Sequence, residues 1–572
     1  MPGCSVAQGL PLLVLESIFR RVLPTYESVV DSVLPVPSSS RELLPLMAQC
    51  RAWRHVAAAM FYNTAKMWAI GREVSKQDKI DWLSLDDVAA MGCQAYVKEL
   101  HIHVLLSDLA EPWETEPNVA AALAGHGDLS SVRRLSIFIN TNRPSIAAPW
   151  IQQADPAARE VVVQNVHALV DQLRRSLRSA KCISIHRSQM SRTAVTRVYG
   201  SCLTEQIPSM IGRDTTQLLL DRLDVTKDMV KVLAQATLRS ITIVGHTGSQ
   251  QHVELVRRNA ATLEKLWLSR ITQFSVVKMT RTGRGGVDTL VYPRLESLHI
   301  STLIGPRKTR TQQPQIDPFP RLHTLVSRGS FPFYSAAIFD GGRSHIRHLD
   351  LDMDTGLMAL FKEHGLAGKG AFAKMQFVSL GWYQSDSAQR DVPHSLVELS
   401  AGLSPATRVI RIHAIRTGIM TDAITGLGAA TSLEVLDLPR CRLNIDQCIA
   451  LFSACPRLLK ANILFMEPRY RASLRMPSVD VLREYQENNR SPTSRIRALG
   501  IRGTNCKTVR RAGEFIVLLA DIFSGTLQRV TFSRNCNRYP EKLTRAVEYA
   551  KKRPPYKGRQ IHAVKFDVGD SW

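Results

Sequence analysis

Ser432-Leu-Glu-Val-Leu-Asp-Leu-Pro-Arg-Cys-Arg-Leu-Asn-Ile-Asp-Gln-Cys-Ile-Ala-Leu-Phe-Ser-Ala-Cys-Pro-Arg-Leu458 holds the architecture of this chain in one unit. Leu436 and Leu438 are two apart, so they share one face of a short strand. Leu433, three residues earlier, stands at the turn that leads into it. From Ile445 the period lengthens. Cys448, Ile449 and Phe452 fall on one side of a helix, and Pro456 closes that helix before Leu458 opens the next unit.

The same phrase of apolar, two residues, apolar, one residue, apolar recurs along the chain. Its middle residue, the anchor, is Leu100, Leu135, Ile241, Leu266, Leu298, Leu349, Leu436, Leu499 or Val530 in complete copies. Weaker copies place anchors at Ile183, Leu218, Leu325, Val378, Ile410, Ala461 and Val564. The steps average roughly 31 residues. A strand of this kind buries its apolar face only when neighbours stack beside it, so the repeats are read as one solenoid. Helical returns fill the longer steps; Met229, Val230 and Leu233 share a face within 223–233. The pattern resembles the leucine-rich repeat. Residues 432–458 resemble its cysteine-containing form, with Cys441, Cys455 and Pro456 in place. The resemblance implies an α/β fold over residues 96–572, with parallel strands on one face and helices on the other.

The first stretch of the chain reads differently. Leu12, Leu15, Phe19 and Val22 fall at helical spacing, with Pro11 suited to a first helical turn and Pro24 ending it. Ser39 and Glu42 form a capping box before a second apolar run. This stretch resembles an F-box. The opening matches at Leu10, Pro11, Val14, Leu15, Ile18 and Phe19. The later part matches at Leu43, Leu44, Cys50, Arg51, Trp53 and Arg54, and the close at Ala57, Ala58, Phe61 and Tyr62. Two features depart from that family: Leu12 and Leu13 stand where an acidic residue is usual, and residues 25–40 exceed the common loop. The expected organisation is an F-box-like helical domain over 1–66, a helical linker over 67–95, then the solenoid. The alternative for the N-terminus is a helical cap on the first repeat.

An F-box joined to leucine-rich repeats resembles the substrate-receptor subunits of cullin–RING ubiquitin ligases, most of all their divergent fungal versions. The resemblance implies that Leu10, Pro11, Val14, Leu15, Ile18, Phe19, Leu43, Leu44, Cys50 and Trp53 bind a Skp-family adaptor. It also implies that the repeats hold a protein substrate, and that the chain is not itself an enzyme. The alternative function is a basic scaffold for an acidic protein, RNA or an anionic surface, with no ligase assembly.

Composition sets the remaining bounds. Net charge is +24, a statement about partners and solubility rather than fold. Arg133, Arg134 and Arg347 stand between apolar positions of the phrase, on the strand-lined surface. They read either as a solvated face or as a track for an acidic, phosphorylated or nucleic-acid partner. Insertions are expected near 141–160, 303–320 and 466–494. The second contains Arg307, Lys308 and Arg310; the tail contains Lys551, Lys552, Arg553, Lys557 and Arg559. Both clusters are candidate basic binding patches. Aromatic content of 6% is thin for stacking bases, so nucleic-acid binding is expected to be unspecific.

No apolar run approaches the roughly 20 residues of a membrane span, and no basic residue precedes the run at 10–15 as in a signal peptide. The ten cysteines contain no CxxC and read as reduced core thiols rather than metal ligands. Together these point to the cytoplasm or nucleus. Gly365–Lys369 has the wrong glycine spacing for a phosphate loop, and 282–286 reads as a glycine-rich loop. His101 and His103 flank Ile102 on the solvent side of a strand, with no third ligand in view. No cofactor is expected.

Overall fold

The chain's structure is a computed structural model. The residues it describes are 25–26, 36–37, 51–68, 83–105, 129–140, 156–187, 211, 214–223, 225–245, 250–270, 279–280, 289–301, 317–328, 345–352, 374–381, 403–413, 427–428, 430–443, 445–466, 494–505, 509–533, 540–553, 556, 561 and 564–569. They divide into two compact units, Met1–Leu263 and Glu264–Trp572.

In the first unit β1 (Thr25–Tyr26) pairs antiparallel with β2 (Val36–Pro37), ahead of helix α1 (Arg51–Phe61). Six parallel strands follow: β3 (Thr64–Trp68), β4 (Glu99–Leu105), β5 (Arg134–Asn140), β6 (Cys182–Arg187), β7 (Gln217–Asp221) and β8 (Ser240–Val244). Each pairs with the next in chain order. Helices α2 (Leu85–Ala90), α3 (Pro156–Ser176) and α4 (Lys227–Leu233) lie between strands in sequence, and α5 (Gln250–Arg258) follows β8.

The second unit carries eleven parallel strands: β9 (Lys265–Ser269), β10 (Ser297–Ser301), β11 (Thr324–Arg328), β12 (His348–Asp352), β13 (Phe377–Gly381), β14 (Val409–His413), β15 (Val435–Leu443), β16 (Lys460–Met466), β17 (Ala498–Asn505), β18 (Arg529–Ser533) and β19 (Lys565–Gly569). They too pair in chain order. Its described helices are α6 (Ile445–Ala454), α7 (Val509–Ile522) and α8 (Pro540–Lys551). One strand per rung, always parallel to the last, is a solenoid-like arrangement.

The register follows from the phrase. A one-residue slip would turn every buried side chain outward, so burial fixes the pairing. In the first unit Leu100, Leu135, Ile183, Leu218 and Ile241 lie opposite one another. In the second, one column runs from Leu266 through Leu298, Leu325, Leu349, Val378, Ile410, Leu436, Ala461 and Leu499 to Val530. Every one of these is at most 4% exposed.

A hydrogen-bond ladder guides each chain into its strand. The amides of Arg133 and Arg134 both reach the Lys98 carbonyl, at 2.8 and 3.0 Å; Arg347 and His348 treat the His323 carbonyl alike, at 2.8 and 3.0 Å. Nearly every rung repeats this forked bond, which satisfies two donors at the point where the strand begins.

Two readings of the sequence need correction. Phe566, not Val564, pairs with Val530. Val564 and Phe566 are two apart and share a face, so alternation alone does not separate them. The parallel sheet also begins before the first complete phrase. Ala65 pairs with Leu100, where a methyl group replaces the usual Leu.

The returns behave as their periods predict. Met229, Val230 and Leu233 of α4 are buried, and Thr226 caps the helix by accepting from the Met229 amide at 3.2 Å. Cys448, Ile449 and Phe452 of α6 are buried, as are Cys441 and Cys455. The thiols of Cys441 and Cys455 lean on the Ile412 and Leu427 carbonyls, each at 3.9 Å, and form no disulfide. They act as small core residues.

The chain leaves β7 through Arg222 at φ 58°, and β8 through Gly245 at φ 75°. A Cβ on Gly245 would lie 2.8 Å from the Arg222 Cγ, so glycine is needed there for both conformation and space.

Candidate interaction face

Alternation along each strand leaves a second set of side chains on the strand-lined face. In the first unit His103, Phe138, His186 and Asp221 occupy one column across β4 to β7. The His103 and Phe138 rings stack at 4.8 Å and 11°, and Phe138 and His186 at 4.6 Å and 7°. Asp221 holds the far end, 3.6 Å from His186 Nδ1 and 3.7 Å from Arg222 Nε. Two residues earlier along β4, His101 Nε2 meets Glu99 at 2.8 Å, and Arg134 meets the other Glu99 oxygen at 3.4 Å.

The charge states follow from these surroundings. Burial pushes the Glu99 carboxyl up. The hydrogen bond and charge of His101, the charge of Arg134 and a hydrogen bond from Ser136 outweigh that and leave it below the usual range. Burial, and then the charges of His101, Lys66 and His186, push His103 down to about 3. The imidazole is therefore neutral, as suits a ring stacked on Phe138.

This makes stability depend on pH. An unfolded His103 takes up a proton near pH 6.5, whereas the folded one stays neutral down to about 3. Stability is thus lost progressively as pH falls below about 6.5. His103→Phe keeps a ring against Phe138 and removes that proton. It is expected to reduce the fall in Tm between pH 7 and pH 5, measured by thermal unfolding. An unchanged fall would show that His103 titrates no differently when folded.

On the second unit the same face carries ion pairs between neighbouring rungs. Arg328 meets Asp350 at 3.6 Å, Arg411 meets Asp437 at 3.9 Å, and Arg529 meets Asp567 at 2.9 Å. His348 stacks on Phe377 at 4.0 Å and 5°, and Arg411 lies 5.3 Å from that ring. Trp267 stacks on His299 at 4.3 Å and is 38% exposed. Burial and then the charge of His348 lower His299 to about 4.

These groups can present hydrogen bonds, ring edges and fixed charges to a partner. Burial raises the Cys182 thiol and pushes Cys455 up to about 12, so neither is primed as a nucleophile. Among the described residues no group of three His, Cys, Asp or Glu could hold a metal ion. Among them also, no helix is long and apolar enough to cross a membrane.

Of the residues singled out for an adaptor, Leu10, Pro11, Val14, Leu15, Ile18, Phe19, Leu43, Leu44 and Cys50 lie outside the described residues. Trp53 is half-buried on α1, whose Val56, Ala57 and Ala58 are buried. Helix α1 is tied to the first rungs. His55 Nδ1 lies 3.1 Å from the Tyr96 hydroxyl, and Tyr62 donates to the Met91 sulfur at 2.9 Å.

The basic patches fare unequally. Arg307, Lys308, Arg310, Lys557 and Arg559 lie outside the described residues. Lys551 is buried, paired with Glu548 at 3.2 Å and 5.0 Å from the Phe566 ring. Arg553 meets Glu514 at 3.3 Å and lies 4.9 Å from the Tyr549 ring. Lys552 between them is exposed. Two of the three described members of the tail cluster are thus engaged within the fold.

Sequence reading missed the ring column. His103, Phe138 and His186 each lie three residues after an anchor, so aligning the phrases brings them together. No protein-family model matches the chain, and no curated protein matches it.

Proposed function

We propose that this chain is the substrate-recognition subunit of an SCF-type cullin–RING ubiquitin ligase, acting in the cytoplasm or nucleus. It would transfer no group itself. Residues 1–66 would bind the Skp-family adaptor, and the strand-lined rungs would hold a protein substrate. The reading rests on one observation. The run Leu10-Pro11 to Cys50-Arg51-Ala52-Trp53-Arg54 stands directly before a stack of parallel rungs. In support, the described end of that run is helical and carries Trp53. The second reading, a basic scaffold outside any ligase, draws on the net charge of +24.

The test is capture of purified adaptor by the full chain. An interface anchor is typically worth on the order of 2 kcal/mol or more, and each 1.4 kcal/mol is about tenfold in affinity. Changing Leu10 and Pro11 together to Ala is expected to weaken capture about 30-fold or more, with the thermal unfolding of the rungs unaltered. Equal capture by the double variant would overturn the proposal.

A further inference from the structure

The residue two before each anchor forms a column of its own, at the edge where the strands begin. In the first unit this column reads Asn63, Lys98, Arg133, Lys181, Thr216 and Arg239 on successive rungs. All four cations are exposed. In the second unit the same column opens Glu264, Glu296, His323, Arg347, Gln376, Arg408 and Glu434, with the signs mixed. The charges in this column are therefore all of one sign in the first unit and mixed in the second.

Further cations stand close in sequence to Lys181. Arg174, Arg175 and Arg178, at and just past the end of α3, are exposed shortly before β6. The side chains of Arg133, Arg174, Arg175, Arg178 and Lys181 make no ion pair among the described residues. Of the acids close to it in sequence, Glu99 is held by His101 and Arg134, Asp171 lies on α3, and Asp214 stands two residues before Thr216, where the column itself is neutral. Exposed like charges in a row repel one another, an arrangement that an anionic partner relieves.

From this we propose that the leading edge of the first unit is a docking strip for an extended, carboxylate-rich segment of a protein partner. Neighbouring rungs lie about 4.8 Å apart, so the strip is roughly 20 Å long, the span of about six extended residues. Phosphate recognition by Arg clusters needs several donors converging on one group. The column instead spreads single charges along a line, as carboxylates in an extended segment do. Single-stranded nucleic acid needs open ring faces. Here His103 and His186 cover both faces of Phe138, and the strip itself contains no aromatic residue. The inference stands apart from the substrate-receptor reading, on which the bound segment would belong to the substrate.

The test uses the full chain and labelled probes: a peptide of about ten residues alternating Glu and Ser, a neutral peptide with one phosphoserine, and an oligouridine of similar length. Fluorescence anisotropy at low salt is expected to show the Glu peptide bound most tightly. Its affinity should fall as salt rises toward 0.2 M, because exposed charges are screened. Arg133→Glu with Lys181→Glu is expected to weaken it at least tenfold, and Arg133→Gln with Lys181→Gln less. Arg347→Glu with Arg408→Glu, on the balanced edge of the second unit, changes net charge equally and should leave binding within twofold. All of these sites are exposed, so the variants should keep the wild-type Tm.

Equal loss in both reversal variants would reduce the strip to net charge and overturn the proposal. Tighter binding of the phosphopeptide or the oligouridine would overturn it too. Adaptor capture is a separate measurement on the same proteins. Its absence would remove the ligase reading and leave the peptide result standing.

Discussion

Replacing Leu436 by alanine will cost about 2–5 kcal/mol, the usual range for a buried Leu that leaves a cavity. Leu436 is fully buried and paired in register between Ile410 and Ala461. The smallness of Ala461 leaves little to collapse into the space, which argues for the upper part of that range. The damage should be local, because each rung contacts chiefly its neighbours. Amide exchange should quicken in β14, β15 and β16 and remain slow in β10 and β11. Denaturant unfolding measures the total, and exchange its distribution. An unchanged midpoint would show that Leu436 does not sit in the anchor column.

Gly513 sets two effects against each other. It lies inside α7, where Ala is favoured over Gly by about 1 kcal/mol. A Cβ there would come within 2.8 Å of the Ala546 backbone carbon and 2.9 Å of the Ala546 Cβ, on α8. Backbone cannot swing aside as a side chain does, so α7 and α8 must part. Overpacking of this kind costs about 1–3 kcal/mol, occasionally more. Gly513→Ala is therefore expected to lose about 1 kcal/mol net, and Gly513→Val, with two more carbons to place, about 3 kcal/mol. Thermal unfolding of both variants decides between the effects. Stabilisation by Gly513→Ala would mean that the helices separate freely and propensity dominates.

Most of the fold is legible in the sequence because one physical demand recurs. Each strand has a single apolar face, and only stacking hides it. Spacing alone thus places fifteen of the sixteen anchors in the observed columns. The failure at Val564 comes from the period of two, which Phe566 satisfies equally. Strand β3 escapes notice because Ala65 is too small to announce a core position.

The interaction face is less legible. The engagement of Arg553 depends on Glu514, which is distant in sequence and brought near by α7 and α8. A run of basic letters does not reveal that. The edge strip was within reach, since Lys98, Arg133, Lys181 and Arg239 all lie two residues before an anchor. It needed the copies to be compared at their polar positions as well as their apolar ones.

The forked hydrogen bonds at the strand starts bear on how such a chain changes over generations. Each rung asks of the one before it a single carbonyl and a matching apolar column, and the segments in between differ widely in length. The path from Leu218 to Ile241 is much shorter than the path from Leu135 to Ile183. Whole units can be duplicated, lost or lengthened between strands, while a one-residue slip of the pairing register turns a strand's buried side chains outward. Descendants should therefore differ chiefly in rung number and in connecting segments. The edge that carries Lys98, Arg133 and Lys181 is then an adjustable ruler, its reach set by how many copies a lineage keeps.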